Sequence, residues 1–161
     1  MKKIIFLLCI IWGCISQAVG QITVTDTLRY SFKLYGQTRR FKVAYERKDN
    51  HLILHWTILR NMKWWVGSYT MTPASLQDGK ALCWTQPTDG DHLTVSPDET
   101  VWLLSQKQLN HLKEHGHFRC NGVTYTAQSC NETAIGYPLL HAIDQVEGGE
   151  MWILDYPELP L

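Results

Sequence analysis

The sequence has no charge of either sign to spare: fifteen Lys and Arg meet fifteen Asp and Glu across 161 residues. Net charge therefore gives no reason to expect nucleic acid or an anionic membrane as a partner. Long apolar runs are also missing. The longest, residues 4–15, is well short of the roughly 20 residues a spanning helix needs, so no membrane span is expected. There is no G-x-S-x-G elbow, no glycine-rich phosphate loop and no carboxylate pair at a recognisable catalytic spacing, and no cofactor is called for.

Cysteine is sparse. Of five, Cys9 and Cys14 lie in the N-terminal segment, leaving Cys83, Cys120 and Cys130. An odd number permits one bridge and one free thiol, not a disulfide framework. Small buried hydrophobes and a single bridge are both open readings. No neighbour suggests a base that would activate a catalytic thiol.

The first residues point to export. Met1-Lys2-Lys3 is a basic start, the apolar run follows, and Ala18-Val19-Gly20 offers small residues before Gln21. This is the pattern of a secretory signal peptide over residues 1–20, placing the mature protein in the periplasm, at the cell surface or outside the cell. A lipoprotein alternative would cut at Gly13-Cys14, where Trp12 is a poor neighbour. Residues 21–161 then make one β-rich domain, long enough for one sizeable core.

Along this segment the dominant period is two. Ile22, Val24, Leu28, Tyr30, Phe32 and Leu34 alternate with polar residues, and Phe41, Val43 and Tyr45 resume the pattern. Asp49-Asn50 turns the chain into a strand over residues 51–59, with Leu52, Leu54, Trp56 and Ile58 on one face. Its other face, with Ile53, His55, Thr57 and Leu59, is mixed, so the strand is expected to be central and covered on both sides. Residues 62–71 continue extended. Thr72-Pro73 starts a short helix, Leu82 and Trp84 open a strand, Leu93 and Val95 return it, and residues 101–104 form a compact buried strand. Ser105 and Gln108 supply a capping box for a helix over residues 106–115, which Gly116 closes. Asn121-Gly122 is a hairpin turn, followed by strands near residues 123–128, 139–143 and 151–156. The expected fold is mainly β: an antiparallel curved sheet or incomplete β-barrel with one or two short helices.

His111-Leu-Lys-Glu114-His115, with His117 beyond, has the H-x-x-E-H order of inverted zinc peptidases. His111 and His115, four apart on a helix, can share a metal. Leu109 and Leu112, however, are the whole apolar side of this short helix, which turns the imidazoles toward water. Imidazoles in a last helical turn also interact favourably with its negative end when protonated. These three are the weak metal candidates, and a secreted metal-dependent hydrolase is the alternative function they support. Asp89-Gly90-Asp91 lacks the alternating oxygen ligands of a calcium hand.

Tryptophan is more informative: Trp56, Trp64, Trp65, Trp84, Trp102 and Trp152 all follow residue 20. Trp64 and Trp65 are adjacent in an extended segment, so their rings leave on opposite faces. Trp56, Trp64 and Trp65 are the candidate ligand-binding residues, as a platform or the rim of an apolar groove. The reading is a non-enzymatic exported protein whose partner is a lipid, a peptide or a carbohydrate. A carbohydrate-binding accessory module is a further alternative.

The stretches "WVGSYTMTP" (65–73), "QPTDGDHLTVSPDETVWLLS" (86–105) and "GGEMWILDYPELPL" (148–161) resemble uncharacterised exported β-rich proteins of anaerobic gut bacteria. The closing "MWILD" with Pro157 and "LPL" is similar to a pattern in exported half-barrel domains, whose plan is like that of lipoprotein carriers. The resemblance implies an exported β domain and no catalytic residue. Those relatives run on into a further strand beyond the position of Leu161, so the resemblance implies an open barrel edge here. The processing reading has a direct check: the intact mass of exported protein should correspond to a chain starting at Gln21, and a diacylglyceryl mass on Cys14 would overturn it.

Overall fold

The computed structural model describes residues 27–34 and 37–161. The expected signal peptide, Cys9, Cys14, and the alternation at Ile22 and Val24 lie outside the described residues. In chain order the elements are β1 (Thr27–Leu34), β2 (Gln37–Lys48), β3 (His51–Arg60), β4 (Lys63–Met71), α1 (Pro73–Asp78), β5 (Ala81–Leu82), β6 (His92–Thr94), β7 (Glu99–Thr100), α2 (Gln106–His115), β8 (His117–Cys120), β9 (Val123–Gln128), β10 (Thr133–Ala134), β11 (Tyr137–Asp144) and β12 (Glu150–Leu154). The protein is mainly β, with two helices among these elements and curved sheets that do not close into a barrel.

The first sheet runs β1-β2-β3-β4-β6, an antiparallel meander with β6 added parallel to β4. The second runs β10-β11-β9-β8, with β12 also paired to β11. Among the described residues, tight two-residue turns at Asp49-Asn50, Asn61-Met62, Asn121-Gly122 and Ile135-Gly136 set the registers of the strands they join. All eight residues have positive φ, the backbone that lets a two-residue turn follow the right-handed twist of its strands. Cys120 consequently pairs with Val123, as the Asn-Gly signal implies. Cys130 lies beyond the end of β9, and Cys83, Cys120 and Cys130 are all free thiols.

Period-two patterning decides what the first sheet buries. Phe41, Val43 and Tyr45 on β2, Leu52, Leu54, Trp56 and Ile58 on β3, and Tyr69 and Met71 on β4 form one buried face. Val95, Val101, Leu103, Leu154, Tyr156 and Leu159 complete this core. A second core gathers Leu104, Leu112, Phe118, Cys120, Ala142 and Ile153 between α2 and the second sheet. The helix ends follow the sequence signals. Thr72 caps α1, and Ser105 and Gln108 form a reciprocal capping box on α2, which Gly116 ends in the left-handed conformation at φ 73°.

Three expectations are corrected. Val101, Leu103 and Leu104 are buried and Trp102 partly so, but residues 101–104 are not a strand: Trp102 sits at φ 53°, and Thr100 Oγ1 donates to the Leu103 carbonyl at 2.6 Å. A left-handed residue closed by such a bond makes a turn, whatever the β propensity of Val101 and Leu103. The segments around Leu82 and Leu93 do not pair with each other. β5 runs parallel to β7 and β6 parallel to β4, because the Asp98 carbonyl accepts from Lys80 and Ala81 and the Asp91 carbonyl accepts from Ser68. Finally, β3 is central but covered on one side only; His55 and Leu59 on its outer face are exposed.

Trp56 pairs with Gly67 across β3 and β4. A Cβ at Gly67 would meet the Trp56 ring and would lie 2.5 Å from the Asp91 carbonyl oxygen, so a strand glycine here gives the indole its place. Gly67→Ala should lower stability by about 3 kcal/mol, the upper range of overpacking costs, read from urea midpoints. An unchanged midpoint would show that the ring has room to move.

Candidate functional site

α2 carries its polar face toward a cleft. Lys107 and His111 from α2, Asp78, Gly79 and Lys80 from the end of α1, and His117, Arg119 and Thr124 from β8 and β9 surround a cavity of about 640 Å³. The helix is placed by burial of Leu109 and Leu112, which at 100° per residue turns Lys107 and His111 to the opposite side. Its start is tied to the end of α1, because the buried Ser105 hydroxyl donates to the Gly79 carbonyl at 2.8 Å. One bond thus sets Lys80 and Lys107 on a common rim. Below them, Gln108 Nε2 donates to the Arg119 carbonyl at 2.7 Å, fixing β8 against the helix.

The cleft is rich in cations and poor in carboxylates. Lys80, Lys107, Arg119, His111 and His117 line it, with Asp78 the one acid among its described lining residues. Lys107 pairs with Asp78 at 3.4 Å, and Lys80 with Asp98 at 3.2 Å. All four side chains are more than half exposed, where such pairs contribute about 1 kcal/mol or less. A ligand anion can displace them. Arg119 donates to the Gly122 carbonyl at 3.1 Å, which holds its guanidinium by the hairpin turn.

The structure brings His111, His115 and His117 together. Ring centroids are 4.5 Å apart for His111 and His115, 4.7 Å for His111 and His117, and 6.4 Å for His115 and His117. The first two pairs meet edge to face. His111 Nδ1 lies 2.7 Å from the His117 carbonyl oxygen and His117 Nδ1 lies 3.1 Å from that of His115. Both Nδ1 atoms therefore act as donors, leaving Nε2 as the acceptor in each neutral ring. Among the described residues, no group of three or more His, Cys, Asp or Glu side chains is arranged to hold a metal ion.

The three candidate tryptophans are not brought to one place. Trp56 is 1% exposed and belongs to the first core; its indole N–H finds no acceptor among the described residues. Trp64 is 52% exposed on the outer face of β4, with Lys42 Nζ 4.9 Å from its ring centre. Trp65 points to the other face, half-buried under the Arg60 guanidinium at 4.7 Å. None of the three lines the cleft. Exposed Trp152 stacks on His141 at 4.6 Å, and His141 Nε2 lies 2.8 Å from Glu150 Oε2. Sequence patterning missed that pair because the residues meet only through the pairing of β11 and β12.

Nor did the sequence single out Lys80, Lys107 and Arg119 in the cleft. Each is an isolated cation, and only the packing of α1, α2 and β8 collects them. Burial pushes the Cys120 thiol up from its ordinary value, a poor setting for a nucleophile, because the thiolate is the reactive form.

Trp56→Ala should cost about 3–5 kcal/mol, as for other fully buried aromatics, whereas Trp64→Ala should change stability by about 0.5 kcal/mol or less. Thermal midpoints of the two variants would decide, and equal losses would mean that the outer face is covered. Compared with known proteins, the chain matches no family model, no curated protein and no solved structure.

Proposed function

We propose that the chain is an exported, non-enzymatic binding protein that takes a small anionic molecule in the cleft between α2 and the β8–β9 hairpin. One observation carries this reading: five basic or imidazole side chains from α2, β8 and the segment after α1 converge on a cavity of about 640 Å³ whose described lining includes one carboxylate. That volume suits a ligand of sugar size and beyond. Cations at the rim select a carboxylate or phosphate through charge-assisted bonds. Among the ligand classes expected from the sequence, an acidic sugar or a sugar phosphate fits this chemistry.

A second reading, the metal-dependent hydrolase, rests on the H-x-x-E-H order of residues 111–115, although the three imidazoles are not arranged to hold a metal ion among the described residues. Titration calorimetry with glucuronate, glucose 6-phosphate and glucose separates the two. The binding reading expects an acidic sugar to bind, glucose to fail, and Lys107→Ala with Arg119→Ala to weaken binding by about tenfold or more, as loss of bonds to a charged group implies. Binding of glucose as tightly as its acidic counterparts, or no binding of any, would overturn it. Zinc-dependent ester or peptide hydrolysis abolished by His111→Ala would put the hydrolase in its place.

A further inference from the structure

The balance of charges over the whole chain conceals a segregation. Residues 27–71, which form β1 to β4, carry nine Lys and Arg against two carboxylates, whereas residues 72–161 carry four against twelve. The registers place much of this basic charge on one surface. Arg29 and Lys42 are partners across β1 and β2, and Lys42 is partnered to Thr57 on β3. Arg40 lies on the same side two residues away, and Arg29, Arg40 and Lys42 are all exposed. Thr57 pairs in turn with Val66, and Leu59 with Trp64. The outer face of the first sheet thus joins a basic half on β1 and β2 to an apolar half on β3 and β4.

The apolar half is unusual in its exposure. Leu59 is 53% exposed, Trp64 52%, Val66 50%, and Met62, at the tip of the β3–β4 hairpin, 98%. Met62 has φ 60°, where Asn, Asp or Gly would serve the turn better. Folding therefore gives no reason for methionine at this point, and an unburied aliphatic tip has its use in contact with something apolar. Lys42 extends its ammonium over the Trp64 ring. Acidic groups nearby are already engaged: Asp89 accepts from Lys63 at 2.7 Å and from the Val66 backbone at 3.1 Å, and Glu46 lies 2.8 Å from His55 Nε2. The lysine bond holds the Asp89 carboxyl below its ordinary value.

We propose that this face docks on an anionic lipid bilayer, with Met62, Leu59, Val66 and Trp64 entering the boundary between headgroups and acyl chains and Arg29, Arg40 and Lys42 meeting lipid phosphates. An aliphatic tip, an indole beside it and a ring of cations behind is the arrangement the interface rewards: hydrocarbon below, the amphipathic ring at headgroup depth, positive charge against the surface potential. A soluble polyanion would use the cations and the indole but would leave Met62, Leu59 and Val66 in water. The acidic remainder of the molecule is repelled by the same surface, which orients the protein with its first sheet downward. The inference does not depend on what the cleft binds.

Co-sedimentation with phosphatidylcholine vesicles, with and without phosphatidylglycerol, tests it, together with Trp emission and a competition by dextran sulfate. The expected result is binding that requires phosphatidylglycerol, weakens with salt and shifts Trp emission to the blue. Arg40→Glu with Lys42→Glu should reduce partitioning by about tenfold or more. Met62→Asp should reduce it while leaving the thermal midpoint intact, since aspartate suits the turn. Lys107→Ala in the cleft should leave vesicle binding unchanged. No partitioning into anionic vesicles, or partitioning indifferent to both the charge and the Met62 variants, overturns the proposal. So does binding of dextran sulfate without vesicle binding, which would assign the face to an anionic polysaccharide. Self-association abolished by Met62→Asp in the absence of vesicle binding would assign it to a second copy of the chain.

Discussion

Two pairs of adjacent residues organise the molecule. Leu103 and Leu154 enter the first core, while their neighbours Leu104 and Ile153 enter the second. At Ile153 and Leu154 the cause is strand alternation. At residues 103 and 104 it is the turn at Trp102, which reaches the same result without a strand. The backbone between the cores is stitched as well, since the Leu104 amide donates to the Pro160 carbonyl at 3.0 Å and the Leu154 amide to that of Leu161 at 2.6 Å. Arg47 on β2 donates to the Glu158 carbonyl at 2.9 Å, and Gln106 on α2 to that of Pro157 at 2.5 Å. One closing segment thereby joins the first sheet to α2. Together with the Ser105 to Gly79 bond and the bonds of Asn121 to Lys80 and Leu82, this seam sets the position of the two sheets relative to one another.

The cleft is a consequence of the seam. Residue 104 enters the second core, residue 105 caps α2, and the same Ser105 hydroxyl reaches Gly79 at the end of α1. The rim cations therefore stand on elements anchored within a few residues of a buried leucine, so the site is placed by the core. The surface ion pairs around it contribute little to stability, and their cations stay free to exchange partners. The histidines follow a different logic. Gly116, in the left-handed conformation, reverses the chain directly after His115, and this reversal folds His117 back against His111.

Much of the fold was legible in local patterns. Alternation through Phe41, Val43, Tyr45, Leu52, Leu54, Trp56 and Ile58 named the buried face, and these residues are all 6% exposed or less. Ser105, Gln108 and Gly116 bounded α2, and Asn121-Gly122 set the β8–β9 register. Each of these signals is decided within a few residues, by side-chain period or by turn sterics, so one sequence suffices to read it. The turn at residues 101–104 was not legible, because Val-Trp-Leu-Leu has strand propensity and only the Thr100 to Leu103 bond and the packing of Trp102 on Phe41, at 5.1 Å and 75°, select the other conformation.

The sequence by itself determined which residues are apolar on one side of each strand, where both helices begin and where α2 ends, and that the three imidazoles lie close along the chain. Those are properties of short segments, whose energies are local. Tertiary structure alone decided that of the adjacent pair Trp64 is surface and Trp65 half-buried, that Lys80, Lys107 and Arg119 share one cleft, and that a chain without net charge presents a basic, apolar-tipped face. Each depends on which strand becomes the neighbour of which, and that choice is made by burying two cores at once, a condition that no stretch of sequence carries alone.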